Sequence, residues 1–164
     1  MRIEAEILCR MVEHAVLENP YECCGLLTSR GQTIDGVYPC VNEVQSRTRF
    51  SIPAAQLFEF FRYAREHELT FAGIYHSHPD GDPTPSHLDV AEFHYPEVSY
   101  WIISLRRGRP SVNCYRWDHD AGGFVPVMFQ IVSARMRHDL TPLPDLSISK
   151  ILSVVPHRES DPNL

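Results

Sequence analysis

Residues 76 to 89 read His-Ser-His-Pro-Asp-Gly-Asp-Pro-Thr-Pro-Ser-His-Leu-Asp, and this run concentrates the side chains that could do chemistry. His76 and His78 follow the apolar run Phe71-Ala72-Gly73-Ile74-Tyr75. On a strand, residues two apart point to the same face, so both imidazoles aim at one point. Asp89 comes eleven positions after His78, across a proline-rich loop that can return its carboxylate to that point. Two imidazoles and one carboxylate leave a fourth tetrahedral position open, the donor set of a catalytic zinc rather than a closed structural one.

Each of these residues also has a plainer reading. Ser86-His87-Leu88-Asp89 has the Ser-x-x-Asp pattern of a capping box, in which hydroxyl and carboxylate satisfy the first amides of a helix. The two readings are compatible, because a helix start supplies the rigid positioning a metal ligand needs. Hydrolysis at a metal also requires a base that is not itself bound. Glu22, in Pro20-Tyr21-Glu22-Cys23-Cys24-Gly25-Leu26-Leu27, is the candidate at the rim of a buried strand. It could equally be an ordinary charged residue ending a loop, since nothing in its spacing ties it to residue 76. His67, His87, His94, His119 and His138 read as bystanders. A structural zinc would need a fourth side chain, for which Cys23, Cys24 and His87 are the near candidates.

The side chains converge only if the flanking elements deliver them. Ile7, Leu8, Met11, Val12, Ala15 and Val16 recur at helical spacing over residues 4 to 18, and Pro20 stops that helix. Residues 23–29 and 33–38 read as a hairpin around Arg30-Gly31-Gln32, and 39–52 as a polar strand or loop. Pro53 suits the first position of a second helix with Leu57, Phe61 and Ala64 on one face. A strand at 71–76 delivers the histidines, a short helix runs from Ser86 to about residue 94, and strands follow at 100–105, 112–117 and 124–132. Helices interspersed with hairpins predict a single-domain α/β sandwich whose mixed, largely antiparallel sheet is flanked by helices. This domain is expected over residues 1–134. Residues 135–164, with Pro142, Pro144, Pro156 and Pro162, read as a C-terminal extension of unknown role carrying one short helix packed on the body.

Composition narrows the function classes. The 164 residues are 43% hydrophobic and 22% charged, ordinary for a soluble globular domain. A formal charge of −6 argues against non-specific nucleic-acid binding, and the Arg106-Arg107-Gly108-Arg109 cluster reads as a turn between apolar runs. No segment reaches the ~18 apolar residues of a membrane span, and the N-terminus has no apolar signal core. Cys9, Cys23, Cys24, Cys40 and Cys114 show no CxxC spacing and read as reduced thiols, so a cytoplasmic location is expected. Adjacent Cys23 and Cys24 should face opposite sides of their strand.

Together these residues resemble the JAMM (MPN+) metalloprotease signature of the JAB family: an upstream glutamate, then His-x-His, Pro, a short loop and Ser-x-x-Asp. Here the parts are Glu22, His76-Ser77-His78-Pro79 and Ser86-His87-Leu88-Asp89. The likeness extends to Glu22-Cys23-Cys24-Gly25-Leu26-Leu27, to Asn42 with Arg49-Phe50-Ser51-Ile52, and to the stretch from Ala91-Glu92 to Leu105, covering about residues 1 to 118. The resemblance implies the cytidine-deaminase-like JAMM/MPN fold and one Zn2+ per chain, bound by His76, His78 and Asp89 with water in the fourth position. It implies that Glu22 deprotonates that water and passes the proton to the leaving amine, while Ser86 hydrogen-bonds the oxyanion or the attacking water. The compact length is most similar to the prokaryotic branch, which includes sulfur-carrier peptidases. The implied activity is hydrolysis of the amide bond after the C-terminus of a ubiquitin-like β-grasp sulfur-carrier protein, releasing cysteine. A deubiquitinase-like enzyme of a bacterial conjugation pathway and a non-catalytic MPN scaffold are the alternatives. The implied partner is the carrier's C-terminal tail, added as a strand along 39–49, with no nucleic acid or membrane; a homodimer is compatible with this reading.

Overall fold

The computed structural model describes residues 1–133, so the extension expected at 135–164, and the helix expected within it, lie outside the described residues. The elements run β1 (Arg2–Glu4), α1 (Ala5–Glu18), β2 (Cys24–Arg30), β3 (Thr33–Cys40), α2 (Ala54–Glu66), β4 (Thr70–His78), α3 (His87–Ala91), β5 (Ser99–Ser104), a 3-10 turn at Arg106–Gly108, β6 (Ser111–Asp118), β7 (Gly123–Pro126) and β8 (Gln130–Val132). The strands form one sheet in the order β7-β6-β5-β4-β2-β3-β1-β8. Pairing is antiparallel for β2–β3, β2–β4, β5–β6 and β6–β7, and parallel for β1–β3, β1–β8 and β4–β5. The expected mixed, largely antiparallel sheet between helices is what the chain builds.

The sheet is strongly curled. β7 and β8 lie at opposite ends of the strand order, yet only residues 127–129 join them. That link spans at most about 14 Å, so the two edges must approach one another. The expected single strand over 124–132 is therefore two short strands. The Val127 amide makes a last bond to the Cys114 carbonyl of β6, and the segment after it pairs with β1. β1 itself is a correction to a helix starting at residue 4. Its three residues are held by parallel partners on both sides, non-local pairings that no local pattern announces.

The curl wraps α1. Ile7, Met11 and Ala15 are buried against Leu27, Val37, Tyr75, Trp101 and Ile103 of the enclosing strands. Val16, expected in the same stripe, is 54% exposed on the helix flank. On the other face, Leu26, Ile74, Tyr100 and Ile102 pack beneath α2. That helix buries Phe60 and Ala64, while Phe61, expected on the core face, stays 39% exposed. Leu57, Phe60 and Ala64 form the i, i+3, i+7 stripe, and Phe61 lies to one side of it. Cys23 and Cys24 fall in opposite layers, as two adjacent strand residues should.

Inside the α1 layer, His14 is buried with Nδ1 2.8 Å from the Tyr75 hydroxyl. Burial pulls its pKa down to about 4, from an ordinary value of about 6.5. The unfolded chain thus takes up this proton at a higher pH than the folded one. The stability contributed by neutral His14 is complete above the unfolded value and is lost as pH falls towards the folded one, by about 3 kcal/mol in all. His14→Gln is expected to flatten the fall in urea-unfolding free energy between pH 6.5 and pH 4, measured with chelator present. An unchanged slope would remove His14 from the acid sensitivity of the fold.

Candidate metal centre

The site is assembled by one strand pairing. β2 and β4 run antiparallel with Cys24 opposite His76. Two residues before Cys24, just ahead of β2, and two further along β4, Glu22 comes to lie across from His78. Ser77 fixes this end of the ladder: its amide donates to the Cys23 carbonyl (3.1 Å) and its hydroxyl accepts from the Cys23 amide (2.8 Å). Glu22 is anchored by its backbone as well. Its N–H donates to the Ser46 carbonyl (2.8 Å) and its carbonyl accepts from Asn42 Nδ2 (3.0 Å).

His76 and His78 project from the same face of β4, and α3 returns Asp89 to them. His76 Nε2 and His78 Nε2 are 2.9 Å apart; His76 Nε2 is 3.1 Å from Asp89 Oδ1, and His78 Nε2 is 3.4 Å from Asp89 Oδ2. Two donors ~2.0–2.1 Å from a zinc ion at a tetrahedral angle stand about 3.3 Å apart, so this triangle has the size a metal requires. The donor chemistry fits too, and the three ligand atoms all lie within 4.8 Å of one another. The Asp82 carbonyl accepts from His78 Nδ1 (2.8 Å), which leaves Nε2 as the lone-pair nitrogen facing the cluster. Cys23, Cys24 and His87 do not join the group, so no fourth protein ligand closes it among the described residues.

Ser86 and Asp89 do form the capping box: the Ser86 amide donates to Asp89 Oδ2 (2.6 Å) and the Asp89 amide to Ser86 Oγ (3.2 Å). The cap and the metal reading therefore coexist in one carboxylate. The Ser86 side chain thus serves Asp89 from both ends of the cap, accepting from its amide and hydrogen-bonding its carboxylate. Glu22 is buried, and its Oε1 lies 4.0 Å from His78 Nε2.

Electrostatics divides the four groups. Burial pushes the Glu22 carboxyl up to about 8; His78 pulls it back and Asp89 pushes it further. For Asp89, burial is outweighed by His76, His78 and Ser86, which hold it well below the usual carboxylate range. Burial pulls His76 down, against Asp89. It pulls His78 down as well, but Asp89 and the Asp82 carbonyl outweigh it and the net direction is up. The site thus holds one ionised carboxylate among the imidazoles and one carboxyl poised to exchange a proton.

Several residues shape the site without having been singled out from sequence as site residues. The Tyr100 hydroxyl donates to Asp89 Oδ1 (3.1 Å), and the Phe50 ring stacks on His76 with centroids 4.8 Å apart. Asn42 uses its whole amide on the 41–53 loop: Nδ2 donates to the Glu22 and Arg49 carbonyls, and Oδ1 accepts from the Val44 and Ser51 amides. The signal for Tyr100 was there to be read. A tyrosine on a strand with an apolar run needs a partner for its hydroxyl.

The family described as prokaryotic homologs of the JAB domain matches residues 4–118. This chain belongs to that family. The chain is 27% identical over 106 residues to the CysO-cysteine peptidase of Mycobacterium tuberculosis, covering 63% of this chain and 73% of that protein. It is 29% identical over 101 residues to the desampylase of Haloferax volcanii, covering 60% of this chain and 73% of that one. The solution structure of a protein from Desulfitobacterium hafniense superposes with a TM-score of 0.74 at 27% identity, over 84% of this chain and 96% of that chain.

Tyr100 offers a direct test of the centre. Removing an outer hydrogen bond to a ligand typically costs about 10- to 100-fold in metal affinity. Tyr100→Phe, which deletes only the hydroxyl, is expected to weaken zinc binding by about that factor in a competition titration with a chromophoric chelator. Wild-type affinity in the variant would mean that Asp89 needs no help from β5.

Proposed function

We propose that this JAB domain is a zinc-dependent peptidase or isopeptidase that hydrolyses the amide bond after the C-terminus of a ubiquitin-like or sulfur-carrier protein. The observation that carries the proposal is the convergence of His76, His78 and Asp89 on one point, with buried Glu22 beside them and no fourth protein ligand among the described residues. A zinc ion held there would supply Lewis acidity and lower the pKa of water to about 7. Glu22 takes the proton from the attacking water as the carbonyl–oxygen bond forms, and returns it to the amine as the oxyanion then collapses and the carbonyl–nitrogen bond breaks. Ser86, held beside Asp89 by the capping box, would turn its hydroxyl to hydrogen-bond the developing oxyanion, a role for which a single donor is worth about 3 to 4 kcal/mol. The non-catalytic scaffold is the weaker reading, because Glu22, His76, His78, Ser86 and Asp89 are all present in the chain.

The finer assignment, release of cysteine from a sulfur carrier, is supported by the likeness to the mycobacterial CysO-cysteine peptidase. A deubiquitinase-like role is supported by the similar likeness to desampylase. The five cysteines are all unpaired, which suits a reducing compartment and favours a cytoplasmic site of action. No helix among the described residues is long and apolar enough to cross a membrane.

Incubating the zinc-loaded protein with a β-grasp carrier bearing a C-terminal cysteine, read by intact mass, tests the proposal. Chelator-sensitive loss of one cysteine is the expected result. Cleavage of isopeptide conjugates alone would assign the second role, and no cleavage of either would leave the scaffold. Glu22→Gln is expected to keep zinc and lose at least about 100-fold in turnover, whereas His78→Ala is expected to lose the metal. Near-native turnover in Glu22→Gln would give the base role to another group.

A further inference from the structure

The curled sheet covers only part of α1. Ile7, Met11 and Ala15 are buried in the core it encloses, whereas Leu8 and Val12 are partly buried and Cys9 is exposed. These three form one wall of an open groove of about 560 Å³; Val112 of β6, Phe129 and Ile131 of β8 form the other. The groove shares no residue with the metal centre. Glu13 is the only charged residue lining it among the described residues, and Ile131 is 59% exposed there. A contiguous apolar surface of this kind marks a place where something docks.

The chain itself leads to this groove. The described residues end at Ser133, directly after β8, and Ile131 of β8 is already part of the wall. In the sequence that follows, Ile148, Ile151, Leu152 and Val155 recur at i, i+3, i+4 and i+7, one apolar stripe of a helix. Asp145 suits the N-cap before it, and Pro156 is a stop signal after it. A helix over 146–155 is about 15 Å long. Lys150, its one charged residue, falls on the side away from the stripe. Residues 134–145 join this segment to β8, and such a tether spans up to about 40 Å. It holds the segment at an effective concentration on the order of millimolar, which a second copy or another protein would have to match to displace it.

We propose that residues 146–155 dock in this groove as a helix of the same chain, with Ile148, Ile151, Leu152 and Val155 against Leu8, Val12, Val112 and Phe129. The segment then completes the enclosure of α1 that the sheet leaves open, and it covers Cys9. The docking face lies on the α1 side of the sheet, away from the face that carries the histidines, so it is independent of the peptidase reading.

Cys9 supplies the readout, because it lies in the groove wall and the other four cysteines are buried. The full chain is treated with N-ethylmaleimide, and the rate of Cys9 labelling is followed by peptide mass. Ile151→Asp, which puts a charge on the stripe, is expected to speed labelling at least about 10-fold by releasing the segment. Lys150→Asp, on the opposite side, is expected to leave the slow rate as it is. Equal rates in wild type and both variants would overturn the docking. A second arm works without disrupting the stripe by charge: full chains carrying Ile151→Cys or Lys150→Cys are oxidised with diamide at low protein concentration and their disulfides mapped. A link within one chain from Cys9 to the thiol introduced by Ile151→Cys, and none from Lys150→Cys, is the expected result. No link, or equal linking from both positions, would overturn the proposal. A link found only between two chains would give the groove to a second copy and overturn docking within the chain.

Discussion

Everything at the site hangs on the register between β2 and β4. With Cys24 opposite His76, both histidines face the α2 layer and Glu22 stands across from His78. Side chains alternate along a strand, so a slip of one residue would turn both imidazoles into the α1 core and carry Glu22 away from them. The register is held at the site end by the reciprocal Ser77–Cys23 bonds. It is held one residue further in by shape. A Cβ at Gly25 would lie 2.3 Å from the Tyr75 ring, so only glycine lets that ring cross the strand beside it. Tyr75 in turn reaches His14 on α1, and this ties the register to the helix the sheet encloses.

That arrangement concentrates four ionisable groups in a buried volume, which is expensive unless each finds partners. Tyr100, the Ser86 amide and the Asp82 carbonyl supply them for Asp89 and His78. The inner triangle is a different matter. Two Nε2 atoms facing one another at 2.9 Å can share only one proton, and His76 Nδ1 has no hydrogen-bond partner. The lone pairs converge more closely than a proton-only network requires, whereas a cation at their centre satisfies all three donors at once. The same burial that makes the cluster costly raises the proton affinity of Glu22, the one carboxyl of the pair not tied to an imidazole by a hydrogen bond.

The donors and their cap were legible because they are local. A two-residue spacing after an apolar run, and a Ser-x-x-Asp before a helix, carry their geometry in the sequence. Glu22 was not legible in that way: only a ladder between strands some fifty residues apart brings it to His78, and spacing alone cannot report a ladder. The same limit explains the single strand expected over 124–132 and the missed β1, since both depend on which distant edge a short segment joins. On α2, Phe61 was expected on the core face, but both Phe60 and Phe61 touch Phe71 and it is Phe60 that also packs on Tyr38 beneath the helix. Where sequence reading faltered, the deciding contact was non-local each time.

The loops over the site raise a question of magnitude. Arg47–Asp80, Arg49–Glu92 and Arg106–Asp82 tie the 41–53 and 79–86 loops to one another and to their surroundings, and all three pairs are substantially exposed. Such pairs contribute about 0–1 kcal/mol each and weaken with salt. Asn42 is buried, its amide makes four hydrogen bonds, and each is worth about 1 kcal/mol with a further 1–3 kcal/mol at stake for any group left unpaired. The loop that brings Phe50 onto His76 and closes over Glu22 is therefore ordered from beneath, by one buried amide, rather than clamped from above by charge. Phe50 inherits its position from that amide, so its stacking on His76 should persist at ionic strengths that loosen the surface pairs.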